Sequence, residues 1–136
     1  MNFLMSWLAT SILILGTMAS VDAQIIRNPK RLDTTAEKFL EANRKHWHDW
    51  NVPYEDGRVL YNLIIKNNYK SALEIGTSTG HSGVWIAWAL SKTGGKLITV
   101  EIDEDRYKTA LKNFKEAGVE AFIDARLGDA RQIVKQ

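Results

Sequence analysis

Leu73-Glu74-Ile75-Gly76-Thr77-Ser78-Thr79-Gly80-His81-Ser82 is the stretch on which the reading of this chain turns. A short apolar run holding one acid stops at a glycine and crosses a loop of small residues. It then enters Val84-Trp85-Ile86-Ala87-Trp88-Ala89-Leu90, an apolar segment that reads as a largely buried helix. Strand, tight loop and helix are the implied units, with the strand over Ser71–Ile75. Gly76 and Gly80 let the backbone turn sharply and approach a ligand without interference from a Cβ.

Reading outward, the same alternation continues. Gly94-Gly95 turns the chain into Lys96-Leu97-Ile98-Thr99-Val100-Glu101-Ile102, the best strand pattern present. Glu104 to Ala117 reads as an amphipathic helix with Tyr107, Ala110, Leu111 and Phe114 inward, and Gly118 stands where a left-handed cap belongs. A third strand falls near Ile123–Leu127, and Gly128-Asp129-Ala130 leads into a last helical turn. Upstream, Thr34 and Glu37 suit a capping box that starts a helix running to about Asp49, with Leu40, Asn43, Trp47 and Trp50 at helical spacing. Pro53 begins a second helix with Val59, Leu60, Leu63 and Ile64 on one face and Asn67-Asn68 at its end. Trp85 and Trp88 are expected to pack in the core. Strands alternating with helices imply a parallel sheet with right-handed crossovers, so the fold class is α/β, a Rossmann-like parallel sheet with flanking helices.

Composition bounds the function. The 136 residues carry a formal charge of +2, with 45% hydrophobic and 25% charged residues, as in an ordinary globular domain. That charge is too mild for a dedicated nucleic-acid binder. With no cysteine, a disulfide scaffold, a thiolate metal site and a cysteine nucleophile are excluded. His46 and His48, two apart, fall on different helix faces, which is poor for joint metal binding. Residues 1–21 hold no charged side chain, so 1–23 is expected to be a signal peptide, cleaved before Gln24, or a membrane anchor, with the folded domain over 24–136. Cleavage implies a secreted or periplasmic domain. An anchor followed by Arg27, Lys30 and Arg31 implies a domain in the cytoplasm.

The chemistry gathers where the strands end. In open parallel sheets, ligands bind beyond the carboxyl ends of the strands, where a loop meets a helix N-terminus. Glu74 precedes the first loop, Glu101 ends the second strand about 20 residues beyond Gly80, and Asp129 follows the third. Glu101 suits the vicinal hydroxyls of a ribose. The loop lacks the middle glycine of a dinucleotide fingerprint, and Glu74 would repel a pyrophosphate. A ligand with a ribose, an adenine and a cationic amino-acid end would satisfy all three acids, and S-adenosylmethionine has those parts.

Leu73–Ser82 also resembles motif I of class I S-adenosylmethionine-dependent methyltransferases, in particular the catechol and caffeoyl-CoA O-methyltransferase group. Thr99–Asp103, Ala117-Gly118-Val119, Gly128-Asp129-Ala130 and Asn51-Val52 followed by Gly57 resemble the group's other landmarks, in order and spacing. His81 departs from the group's usual tyrosine. The resemblance implies a seven-stranded fold of which this chain holds the N-terminal portion, about three strands. It further implies methyl transfer to a hydroxyl of a small molecule, with Gly76, Ser78 and Gly80 around the methionine portion of the cofactor and Ser82 on its carboxylate. Glu74 would organise the pocket, Glu101 would bind the ribose, Asp129 would lie near the adenine amino group and Val52 would cover the cofactor. The group's catalytic residues, and the ligands of the divalent metal (Mg) used by its metal-dependent branch, belong to later segments. The half-sheet leaves an unpaired edge, which implies a homo-oligomer or a complementing chain. A non-catalytic adenosyl-cofactor-binding module, a truncated remnant and a fragment of an NAD-binding oxidoreductase stay open as alternatives.

Overall fold

Asparagine and proline start the first helix earlier than the threonines suggest. In the computed structural model, which describes residues 28–47 and 50–134, α1 spans Pro29–Ala42. Asn28 caps it by accepting from the Arg31 N–H at 3.2 Å, and Pro29 occupies the first turn, where no N–H partner is needed. The expected cap at Thr34 is therefore corrected. Thr34 and Thr35 lie inside the helix, donating their hydroxyls to the Lys30 and Arg31 carbonyls at 3.0 and 2.8 Å. The helix also ends earlier than expected, at Ala42, and Trp47 lies beyond it. Leu32, Ala36, Phe39 and Leu40 form its buried stripe.

Helix α2 spans Tyr54–Asn67, preceded by Pro53 and closed by Asn68 in the left-handed conformation. Its buried side differs from the expected one. Gly57 and Ile64 face the core, whereas Val59 and Leu63 are exposed. Gly57 permits close packing on the next helix, because a Cβ there would stand 2.1 Å from the Trp85 indole.

Three parallel strands follow, β1 (Ser71–Ile75), β2 (Lys96–Glu101) and β3 (Ile123–Leu127), in the order β1-β2-β3. Between them lie α3 (His81–Thr93) and α4 (Glu104–Glu116), and a short turn α5 (Ala130–Ile133) ends the described chain. The register pairs Glu74 with Thr99 and Glu101 with Leu127, so the strand ends that carry the acids lie side by side. Gly118 follows α4 at φ 72°, the left-handed geometry expected of it. Leu111, expected inward, is exposed, while Ala110 and Phe114 are buried.

The core lies on the face of the sheet that carries Leu97. There Ile64, Ile86, Ala89 and Leu90 pack on Leu97, and a second cluster joins α1, Val84, Trp85 and Phe114. Trp85 is buried as expected, and Trp88 packs at the cluster's margin while donating to Asp33 at 2.7 Å. The opposite face carries Leu73, Ile98 and Val100, which share a groove with Ile133 and Val134. β1 is an edge strand whose Leu73 and Ile75 are 52% and 65% exposed. That contrasts with the usual parallel sheet, covered on both faces. The leader expectation falls on residues outside those described, and no described helix is long and apolar enough to cross a membrane.

Candidate functional site

The loop after β1 is held open by its backbone and tied down by its side chains. Gly76 has φ 89° and Gly80 φ 95°, in the left-handed region where a Cβ is strained. The space where a Cβ of Gly76 would sit is empty to 4 Å, while one on Gly80 would lie 2.7 Å from the Phe114 ring. Gly76 thus leaves room above the sheet edge, and Gly80 lets the loop descend onto α4. Ser78 also adopts a positive φ, 50°. The Val100 carbonyl accepts from the N–H groups of Gly76 (2.8 Å) and Thr77 (3.2 Å), anchoring the loop to β2.

Glu101 is the acid that organises this turn. It is only 5% exposed, and its carboxylate accepts three backbone N–H groups, from Ser78 at 2.7 Å, Ile102 at 2.9 Å and Asp103 at 3.0 Å. Burial sets aside a simple exposed helix-start role, which falls to Asp103, the N-cap of α4. A carboxylate offers about four acceptor positions, so one remains for a ligand hydroxyl. A second hydroxyl would share or displace the Ser78 N–H.

Glu74, on β1, is partly buried. Its carboxylate accepts the Ser82 hydroxyl through a short contact and the Thr99 hydroxyl at 2.7 Å. Thr99 spends its proton on Glu74, so Thr77, 2.6 Å away, donates to Thr99. The resulting relay runs Thr77 to Thr99 to Glu74 across the β1–β2 pair. Burial pushes the Glu74 carboxyl above the usual range, opposed by its two hydroxyl donors. Neither role is legible in sequence, since Thr99 in a strand ordinarily reports only β-propensity and Thr77 reads as one of the small residues of the loop.

The remaining residues close the loop from other directions. His81 is fully buried; its Nδ1 lies 2.8 Å from the Val52 carbonyl and its Nε2 accepts the Trp85 indole N–H at 3.1 Å. Asn51 donates to the Thr79 hydroxyl at 2.8 Å, and Asn113 donates to the Thr79 carbonyl at 2.8 Å. Asp129 follows Gly128, whose N–H donates to the Glu101 carbonyl at 2.7 Å, but its carboxylate is engaged within its own turn. It caps α5 through the Arg131 N–H at 2.9 Å and pairs with the Arg131 guanidinium, which holds its carboxyl below the usual range. His46 is exposed, and His48 lies outside the described residues. Among the described residues no three histidine, aspartate or glutamate side chains converge as a metal site.

Glu74, Gly76, Ser78, Gly80, Ser82 and Glu101 therefore share one turn at the carboxyl edge of the sheet, with Val52 clipped to it and Asp129 outside its hydrogen-bond network. An O-methyltransferase family model matches residues 30–136. A flavonoid 3',5'-methyltransferase of Vitis vinifera is 34% identical over 108 residues, covering 79% of this chain and 45% of that protein. A catechol O-methyltransferase of Niastella koreensis is 37% identical over 86 residues, covering 63% of this chain and 38% of that one. Among solved structures, an O-methyltransferase from Bacillus cereus in complex with SAH superposes with TM-score 0.64 at 29% identity, covering 85% of this chain and 53% of that one. The O-methyltransferase TomG from Streptomyces achromogenes, in complex with SAM, gives 0.62 at 30% identity, covering 74% and 45%. The chain spans about half the length, or less, of the relatives it matches.

Proposed function

The chain belongs to the O-methyltransferase family, and from that premise we propose that it binds S-adenosylmethionine in the Glu74–Glu101 turn and supplies the cofactor half of methyl transfer to a hydroxyl of a small molecule. The observation that carries this reading is the buried Glu101 carboxylate, locked onto the Ser78 N–H of the same loop in which Gly76 leaves open space. Glu101 takes a ribose hydroxyl on its remaining acceptor position. Gly76, Ser78 and Gly80 shape the methionine pocket, and Val52 covers it. Ser82, at the N-terminus of α3, receives the cofactor's carboxylate, where helix N–H groups favour an anion. Its hydroxyl must then turn from Glu74, which is left free to face the cofactor's cationic end. Asp129 reaches the adenine amino group only by loosening its grip on Arg131.

S-adenosylmethionine, when bound, would supply a sulfonium methyl group to the substrate oxygen, the carbon–sulfur bond breaking with its electron pair kept on sulfur and the hydroxyl proton passing to a base. Alignment of oxygen, methyl and sulfur supplies most of the catalysis. The described residues contribute cofactor placement. They offer no donor set that fits a divalent ion such as Mg. The charge-free residues 1–21 support export or membrane anchoring, which a topology reporter fused after Gln136 would test.

The function is tested by thermal melts of the full chain with S-adenosylhomocysteine and, separately, NAD. Protection by the first alone supports the reading, because a ligand that binds only the folded state raises its melting temperature. Protection by NAD alone contradicts it.

A further inference from the structure

His81 lies within the turn, yet it has no part in the cofactor contacts assigned above. Its partners determine its protonation. The Val52 carbonyl can only accept, so Nδ1 carries the proton; the Trp85 indole N–H can only donate, so Nε2 is bare. The imidazole is thus neutral and in one tautomer. Trp47 stacks on it at 4.4 Å between ring centres, so it cannot swing out without unpacking the aromatic cluster.

Around this ring, the segment before α2 is clipped to the loop at three points. His81 donates to the Val52 carbonyl, the Asn51 side chain donates to Thr79, and the Asn51 side-chain oxygen lies 3.4 Å from the His81 N–H. The next residue, Ser82, is bonded to Glu74. The imidazole is thus the clip that holds the Val52 carbonyl itself, beside the two that Asn51 makes.

We propose that His81 is a positioning residue whose neutral, Nδ1-protonated ring holds Val52 against the Gly76–Ser82 loop and thereby sets how tightly the site grips an adenosyl cofactor, an inference that rests on the cofactor reading above. A second proton would land on Nε2, facing the Trp85 N–H, and would replace an attraction by a clash of two donors. Burial already disfavours the charged ring and keeps His81 below the usual histidine range. The charged and titratable groups on the elements around it are Tyr54 of α2, 6.1 Å away, with Glu41, Arg44 and Arg58 gathered about Tyr54; Glu74, bonded to the adjacent Ser82; and the exposed His46 before Trp47. Among the described residues, the ring's polar partners are Val52 and Trp85.

The test has two arms on the full chain. Without ligand, long-range nitrogen NMR of the imidazole is expected to show a protonated Nδ1 and a bare Nε2, with the Trp85 indole resonance shifting as the ring titrates. An Nε2-protonated ring overturns the proposal. With S-adenosylhomocysteine, affinity is expected to hold near neutral pH and to fall about tenfold as pH drops below 6.5, through the lowered range in which the buried His81 ring gains its charge. His81→Gln, which offers one donor and one acceptor but does not titrate, is expected to keep most of the affinity at the upper pH and to lose most of the fall. It thereby separates the His81 effect from any titration of Glu74. A fall of equal size in His81→Gln, or a flat profile in the wild type, overturns the proposal. If the ring shows the expected tautomer and no S-adenosylhomocysteine binds at any pH, the clasp is supported and the cofactor reading fails.

Discussion

Glu101 and Glu74 are both carboxylates at strand ends, yet their surroundings assign them different work. Glu101 receives three backbone N–H groups, so it is a scaffold for the loop and, on the proposed reading, also the acceptor offered to a ribose. Glu101→Gln keeps its shape but removes the charge. Hydrogen bonds to charged groups contribute about 1.5–3 kcal/mol, so affinity for S-adenosylhomocysteine is expected to fall about tenfold to hundredfold by calorimetry. Glu74 is held by hydroxyls and raised by burial. Its raised value disfavours the ionised native state above the ordinary carboxylate range, a cost that disappears as pH falls through the raised pKa. Glu74→Gln is therefore expected to hold or raise the denaturation midpoint at neutral pH relative to wild type, with less gain in acid, while weakening the cofactor. Trp47 gives a third residue-scale test, since its buried indole N–H has no acceptor among the described residues. Trp47→Phe retains the ring against His81 and removes an orphan donor, so stability in urea is expected to change by less than about 1 kcal/mol or to rise. The acids were legible because charge at a strand end is conspicuous. The Thr77–Thr99 relay and the Asn51 clip were not, because their partners are 22 and 28 residues distant in sequence.

At the scale of elements, strand order, loop and helix positions were readable because glycines punctuate them: Gly76 and Gly80 bracket the loop, Gly94 ends α3 and Gly118 follows α4. Helix α1 was harder. Thr34 looked like a cap, but Pro29 fits only the first turn, and Asn28 before it is a better cap. The exposed sides of α2 and α4 also escaped the pattern, because Leu63 and Leu111 have the spacing of core residues but face outward. The loop itself yields a paired prediction. Gly80→Ala meets the Phe114 ring as well as a left-handed backbone, whereas Gly76→Ala meets the backbone penalty alone. A left-handed backbone costs about 1–2 kcal/mol at a non-glycine residue, so Gly76→Ala is expected to lower stability by about that amount and Gly80→Ala by more, read from denaturant midpoints. If open space at Gly76 admits the cofactor, Gly76→Ala also weakens binding beyond its effect on stability.

The whole molecule is asymmetric. Helices cover the Leu97 face of the sheet, while Leu73 and Ile75 on β1 remain exposed, and β1 pairs on one side only. The unpaired edge was expected of a three-strand half-sheet, but composition and periodicity did not disclose the bare apolar face, because the same apolar strand suits a buried site or a bare one. An open apolar edge promotes association. Sedimentation is expected to show concentration-dependent association of the full chain, reduced by Leu73→Lys together with Ile75→Lys, with helix content unchanged by circular dichroism. The cofactor turn lies at the carboxyl end of this same sheet, built from β1, β2 and their following loops. The most direct test of the account is calorimetric titration of the folded full chain with S-adenosylhomocysteine, with NAD as the control. One-site, saturable binding that Glu101→Gln weakens about tenfold or more is the expected result. A folded chain that gives no heat with S-adenosylhomocysteine, or that binds NAD in its place, would contradict it.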